Sequence, residues 1–194
     1  MLTLALICGA LFVIVCTQIN TLAFKLSWIA LIFAYGYSFA KRFTSLCHLI
    51  LGLVLGMSPI GAWVAVRGDI APQSVILGVA VTLWVAGFDL IYATQDYDFD
   101  KCSGLHSMVV SLGISKALWL SRIFHILTFV LLCIFGEQTG LGKTYFITLI
   151  PILGLFLYEH SLVSATNLSN VNAAFFNVNG GISVLFFIGV WLGL

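Results

Sequence analysis

Charge is what this sequence has least of. Lys and Arg together number eight and Asp and Glu seven in 194 residues, 8% in all, about a third of the share in an ordinary soluble domain. A soluble globular fold is thereby excluded. The formal net charge of +1 offers no reason to expect nucleic acid as a partner. Cysteine pairs are also missing. Cys8, Cys16, Cys47, Cys102 and Cys133 include no CxxC and no His at metal-ligand spacing, and they read as small buried hydrophobes. Met1 runs straight into an apolar stretch with no basic region or small-residue cleavage site, so no secretory leader is expected. No internal repeat, low-complexity tract or linker divides the chain, and residues 1–194 read as one domain.

What is present is apolar length. Hydrophobic residues make up 61% of the chain and the mean hydropathy is +1.14, with long apolar runs returning throughout, as in a helical membrane protein. The runs predict an all-α, polytopic transmembrane bundle of seven helices at about 2–24, 26–40, 46–66, 74–94, 117–135, 144–159 and 174–193. The second and sixth are short against the roughly 20 residues a span needs. With the first N-terminus on the cytoplasmic side, Lys41, Arg42, Lys101, Lys116 and Arg122 lie at cytoplasmic helix ends, and Lys25, Arg67 and Lys143 lie opposite. Segments 35–45, 89–116 and 159–172, which hold most of the polar side chains, then share that cytoplasmic face.

The densest chemistry lies in Gly87-Phe88-Asp89-Leu90-Ile91-Tyr92-Ala93-Thr94-Gln95-Asp96-Tyr97-Asp98-Phe99-Asp100-Lys101. A carboxylate inside a membrane helix costs about 2.5–3.5 kcal/mol at the centre, so this cluster calls for compensating charge. At about 100° per residue, Asp89, Asp96 and Asp100 fall within roughly 20° of one line, Tyr92 lies about 60° aside and Asp98 about 180° away. Three carboxylates on one stripe suit a cation among them, and oxygen ligands with room for phosphate suit Mg²⁺. The alternative is an acidic loop with Asp96, Asp98 and Asp100 in water. Asp89 resists it by lying inside the apolar run 75–93.

The string from Asp89 through Tyr92 and Ala93 to Asp96 and Asp100, followed by Gly104-Leu105-His106-Ser107, resembles the second aspartate-rich motif of the UbiA family of membrane prenyltransferases. Tyr35–Thr44 (YGYSFAKRFT) is similar to the family's basic loop, and 158–181 (YEHSLVSATNLSNVNAAFFNVNGG) to its last cytoplasmic loop and final helix. The resemblance implies a fold of about nine transmembrane helices around a cavity, of which this chain holds about seven. The implied activity is Mg²⁺-dependent transfer of a polyprenyl group from polyprenyl diphosphate to an aromatic acid, in the quinone-biosynthesis branch. A 4-hydroxybenzoate-type acceptor is implied, with a naphthoate as the alternative.

Carried over by residue, the resemblance makes Asp96 and Asp100 Mg²⁺ ligands and places Lys41, Arg42 and Lys101 at the diphosphate. Asp89, which opens the motif, and Tyr92 are the catalytic candidates. Tyr92, Tyr35 and Tyr37 are candidate π faces for an allylic cation. His106 could orient the acceptor or contact diphosphate, or be a loop histidine bonded to backbone. Asn172 and Asn179, one heptad apart, could face the cavity. His48 and His125 read as satisfied packing residues, and Glu159-His160 as a local ion pair. The implied location is a bacterial cytoplasmic membrane, with the site on the cytoplasmic side.

The family's first motif, an Asn-Asp-rich loop between its second and third helices, is not found here, and Asp69, Glu137 and Glu159 are isolated carboxylates. The first two helices and that motif are therefore expected to be absent. The expectation is a fragment, a truncated frame or half of a split enzyme, inactive alone without the missing N-terminal segment; a pseudoenzyme subunit is a further reading. The rival from another class is a transporter with Asp89 on an ion path. No repeat is visible and the ionisable groups cluster at one face, which favours phosphate handling over midplane transport.

Overall fold

The computed structural model describes residues 2–194, with the side chain of Leu2 left aside. It is helical throughout, with no strand among the described residues. The helices are α1 (Leu2–Ile19), α2 (Thr21–Ala40), α3 (Cys47–Arg67), α4 (Pro72–Ala93), the short α5 (Tyr97–Cys102) and α6 (Met108–Leu112), α7 (Ile114–Thr139), α8 (Lys143–Leu162) and α9 (Asn179–Gly193). Seven are long. Six of these are long and apolar enough to cross a membrane, and the first is a shorter apolar helix. The chain is an integral, multi-pass membrane protein, as its hydropathy predicts.

Boundaries moved where local chemistry outweighed hydropathy. The first two spans divide at Asn20, not near Lys25. The Asn20 side chain accepts from the Ala23 N–H at 2.8 Å and caps α2, while its Nδ2 donates to the Val64 carbonyl of α3 at 2.8 Å. That cap gives α2 20 residues. The span predicted at 144–159 likewise extends to 20 residues in α8, so neither helix is too short for a bilayer.

Each long helix packs on the next in sequence, and α4 is the hub between α3 and α7. The α3–α4 approach depends on small residues. A Cβ at Gly52 would collide with the Thr82 carbonyl, and one at Gly56 with the Gly78 carbonyl and the Thr82 hydroxyl. Two glycines four apart on α3 thus face Gly78 and Thr82, four apart on α4, and the backbones close together in the small-xxx-small manner of membrane helices. This contact holds the end of α4 against the start of α3.

At the chain's far end a π-helical turn, Ala173–Val178, leads into α9. Its wider winding rotates Asn179 inward and leaves Asn172 exposed. The heptad expectation that both face the cavity is corrected accordingly: only Asn179 does.

Candidate functional site

The ends of α2, α4 and α8 and the starts of α3, α7 and the π turn meet at one end of the bundle, with α5 and α6 lying across it. The aspartate segment is not one continuous helix there. After Ala93 the chain tightens into a 3₁₀ turn, Thr94–Asp96, before α5 resumes. The single stripe drawn through Asp89, Asp96 and Asp100 is therefore broken, and the three carboxylates take different partners.

Asp100 is buried on the site side of α5 with its side chain 3% exposed, and it accepts from the Lys41 ammonium at 2.9 Å. Asp96, half exposed, stands 3.8 Å from the same ammonium. Lys41 is held at both ends, because its backbone carbonyl accepts from the His106 N–H at 2.7 Å. Burial works against the Lys41 charge. The Asp100 hydrogen bond, with the charges of Asp100 and Asp96, outweighs it and holds the lysine above its usual value. Gly104, at φ +66°, turns the chain after α5 so that the Leu105 N–H donates to the Asp100 carbonyl at 2.9 Å. Ser107 then caps α6. The Gly104-Leu105-His106-Ser107 string is thus the strap that fastens α5 to the basic loop.

Asp89 has a separate partner, His48 at the first turn of α3, whose Nδ1 donates to its carboxylate at 2.6 Å. The reading of His48 as a packing residue is corrected: a buried imidazole pairs with the intramembrane carboxylate, and His48 Nε2 finds no partner among the described residues. The rule that an intramembrane carboxylate requires a partner was the available signal. The 41 positions between the two hid which residue it was.

Aromatic residues lead away from the carboxylates. Trp84, Phe88 and Tyr92 recur every fourth residue, so the α4 face that leads to the 3₁₀ turn is an aromatic wall. Phe175 of the π turn meets Tyr92 at 4.4 Å and Phe88 at 5.2 Å between ring centroids. Phe88, Phe175 and Phe176 line an apolar cavity of about 510 Å³ that also reaches Trp84 and Asn179.

The remaining predicted site residues are not gathered with these. Tyr35 is exposed and its hydroxyl donates to the Ala5 carbonyl at 2.6 Å, tying α2 to α1. Arg42 is exposed with its guanidinium 5.8 Å above Phe39, and Lys101 is exposed with its ammonium 5.5 Å above Tyr97. His106 joins through its backbone, its side chain exposed. Asp98 is exposed, as its opposite azimuth predicts.

Sequence reasoning missed a second polar cluster. Asn179 accepts from Trp84 Nε1–H at 2.7 Å, donates to Glu159 at 2.9 Å and also reaches the Ala174 and Phe175 carbonyls. His125 Nε2 lies 3.3 Å from the Trp84 carbonyl and its Nδ1 3.0 Å from His160 Nε2. A carbonyl only accepts, so His125 carries its proton on Nε2 and accepts from His160 at Nδ1. Glu159 and His160 therefore do not pair with each other; each turns to another helix.

No group of three His, Cys, Asp or Glu among the described residues forms a ready metal cage. Asp96 and Asp100 nevertheless converge on one cation, the Lys41 ammonium. A carboxylate pair of this kind suits Mg²⁺ whose remaining ligands are phosphate oxygens and water.

The fold recurs in known proteins. The UbiA prenyltransferase family profile matches residues 1–181. The 4-hydroxybenzoate octaprenyltransferase of Vibrio cholerae is 34% identical over 182 residues, 92% of this chain and 62% of that protein. That of Sodalis glossinidius is 32% identical over 186 residues, 96% of this chain and 63% of that protein. Among solved structures, the apo form of a UbiA homolog from Aeropyrum pernix K1 superposes with a TM-score of 0.83 at 32% identity, covering 95% of this chain and 68% of that one. A digeranylgeranylglyceryl phosphate synthase shares the fold at a TM-score of 0.77 and 21% identity, covering 96% of this chain and 66% of that one. A membrane-spanning helical bundle with an acidic–basic cluster just beyond the aromatic face of α4 is the class defined here, and the chain belongs to the UbiA prenyltransferase family. It spans 62% of the length of the Vibrio cholerae relative.

Proposed function

We propose that this chain supplies one half of a Mg²⁺-dependent site that transfers a polyprenyl group from polyprenyl diphosphate to an aromatic acid of the 4-hydroxybenzoate type. The observation that carries the reading is the convergence of Asp96 and Asp100 on Lys41 at the end of the Trp84–Phe88–Tyr92 wall. The names of the bacterial relatives support the donor and acceptor classes.

Asp96 and Asp100 would hold Mg²⁺, which when bound supplies Lewis-acid neutralisation of the leaving diphosphate. Lys41, already positioned by Asp100 and by the His106 N–H, adds a fixed positive charge beside it. Tyr92 and Phe175 offer π faces to the allylic cation, each worth about 0.5–2 kcal/mol. The apolar cavity keeps water from quenching that cation and accommodates the prenyl chain. Asp89, fixed by His48, stands two turns before Asp96 and would orient this end of α4. The location proposed is a bacterial cytoplasmic membrane, with the aspartate end on the cytoplasmic side.

Two carboxylates are half of what a diphosphate carrying more than one Mg²⁺ calls for, so the remaining acidic ligands are assigned to residues outside this chain. The test is a transfer assay with purified 194-residue chain, polyprenyl diphosphate, Mg²⁺ and either 4-hydroxybenzoate or a hydroxynaphthoate. No product is expected from either acceptor until a segment bearing an Asn-Asp-rich loop is supplied, and the benzoate should then be used first. Transfer by the chain alone would refute the half-site assignment, and preferential use of the naphthoate would refute the acceptor.

A further inference from the structure

On the outer face of the bundle, α7 and α8 leave a groove of about 260 Å³ that belongs to neither the aspartate cluster nor the aromatic cavity. Its walls follow helical spacing. Arg122, His125, Ile126, Phe129 and Val130 come from α7, and Leu153, Phe156, Leu157 and His160 from α8. Because the helices are antiparallel, the polar members gather at one end: Arg122 and His125 toward the start of α7, and His160 two residues before α8 ends. The rest is apolar and runs toward the bilayer centre for roughly 10 Å, at 1.5 Å per residue.

Three observations give this groove a charged, interfacial mouth. Arg122 has no carboxylate within salt-bridge distance among the described residues; its guanidinium instead lies 4.8 Å above the Trp119 ring. Trp119 and Tyr158, 61% and 54% exposed, stand on α7 and α8 beside the mouth, and such aromatics mark the headgroup level of a membrane. His160 Nε2 is engaged by His125, while its Nδ1 has no partner among the described residues. The nearby carboxylate, Glu159, is fully buried behind the groove, with one oxygen accepting from Asn179 and the other 3.5 Å from His125.

We propose that the α7–α8 groove is a binding site for an anionic phospholipid. Its phosphate takes the fork of Arg122, His160 Nδ1, unprotonated while its Nε2–H donates to His125, accepts from a headgroup hydroxyl, and one acyl chain lies along Phe129, Val130, Leu153 and Leu157. A guanidinium without a carboxylate partner at headgroup depth is complementary to a lipid phosphodiester. The polar-to-apolar gradient along the groove matches a lipid from head to tail. A zwitterionic lipid carries its own cation and gains less.

Native mass spectrometry of the full chain, released from detergent with equal amounts of phosphatidylglycerol and phosphatidylcholine, tests this directly. Phosphatidylglycerol should be retained in preference, and Arg122→Gln should reduce its retention about tenfold. Arg67→Gln at the opposite membrane face should leave it unchanged. Should Arg122→Gln lose its helical circular dichroism, Leu157→Trp at an exposed position serves instead, by blocking the acyl path without touching the charge. Equal retention of both lipids, or undiminished phosphatidylglycerol in a folded Arg122→Gln or Leu157→Trp, overturns the proposal. Displacement of the lipid by excess inorganic phosphate would assign the groove to a free anion and overturn it equally.

Discussion

The Lys41 ammonium and the Asp100 carboxylate meet at 2.9 Å across 59 positions of sequence, joining the end of α2 to α5. Asp100 is almost wholly buried and Lys41 about one-third exposed, so the carboxylate depends on the lysine more than the reverse. Lys41→Met should destabilise the bundle by about 2 kcal/mol, the cost of stranding a buried charge that water partly reaches. Lys41→Met combined with Asp100→Asn should recover part of that. Thermal unfolding of the detergent-solubilised chain checks both. A single variant as stable as the parent would show that the pair contributes nothing.

The glycines of α3 allow a sharper contrast. Gly56→Ala places a methyl against the Gly78 carbonyl and Thr82, whereas Gly61→Ala meets nothing within 4 Å. Gly56→Ala should lose about 1–3 kcal/mol by overpacking. Gly61→Ala should be neutral or gain up to about 1 kcal/mol from helix propensity. Equal melting temperatures for the two variants would contradict the close α3–α4 approach.

Asn179 is the junction of the second polar cluster. Asn179→Leu removes the partner of both Trp84 Nε1–H and Glu159, and should cost about 2–4 kcal/mol through buried unsatisfied groups. Asn179→Ala and Glu159→Gln should be coupled by about 1 kcal/mol or more in a double-mutant cycle. Additive effects would mean that the contact between them carries no energy.

On the proposed function, His48 supports the site through its partner Asp89 rather than by touching substrate. His48→Leu should weaken Mg²⁺-dependent diphosphate binding about tenfold, as loss of an outer-shell partner commonly does, and His48→Gln should restore part of it. A titration of diphosphate analogue with tryptophan fluorescence readout reports the difference. Unchanged affinity in His48→Leu would detach Asp89 from the site.

The sequence showed the architecture because apolar runs are long and continuous, and seven long helices stand where seven runs do. It missed the Asn20 break because a cap is one hydrogen bond, to which a hydropathy window is blind. The aspartate segment was legible as a cluster but not as a geometry. A uniform helix puts Asp89, Asp96 and Asp100 on one line; the 3₁₀ turn at Thr94–Asp96 separates them. Lys41, Arg42 and Lys101 are all candidates in the sequence, yet among the described residues only Lys41 reaches the carboxylates: Arg42 lies over Phe39 at the end of α2, and Lys101 over Tyr97 of α5. The partners of His48, His125 and Glu159 were hidden by sequence distance. That each intramembrane ionisable group must have one was the rule that could have paired them.

Mg²⁺-dependent binding of a non-hydrolysable polyprenyl diphosphate analogue to the purified chain is the most direct test of the central assignment. Binding should require Mg²⁺, be abolished by EDTA, and fall at least about a hundredfold in Asp96→Ala and in Asp100→Ala, while exposed Asp98→Ala retains parental affinity. Undiminished, Mg²⁺-independent binding in both Asp96→Ala and Asp100→Ala would contradict the account.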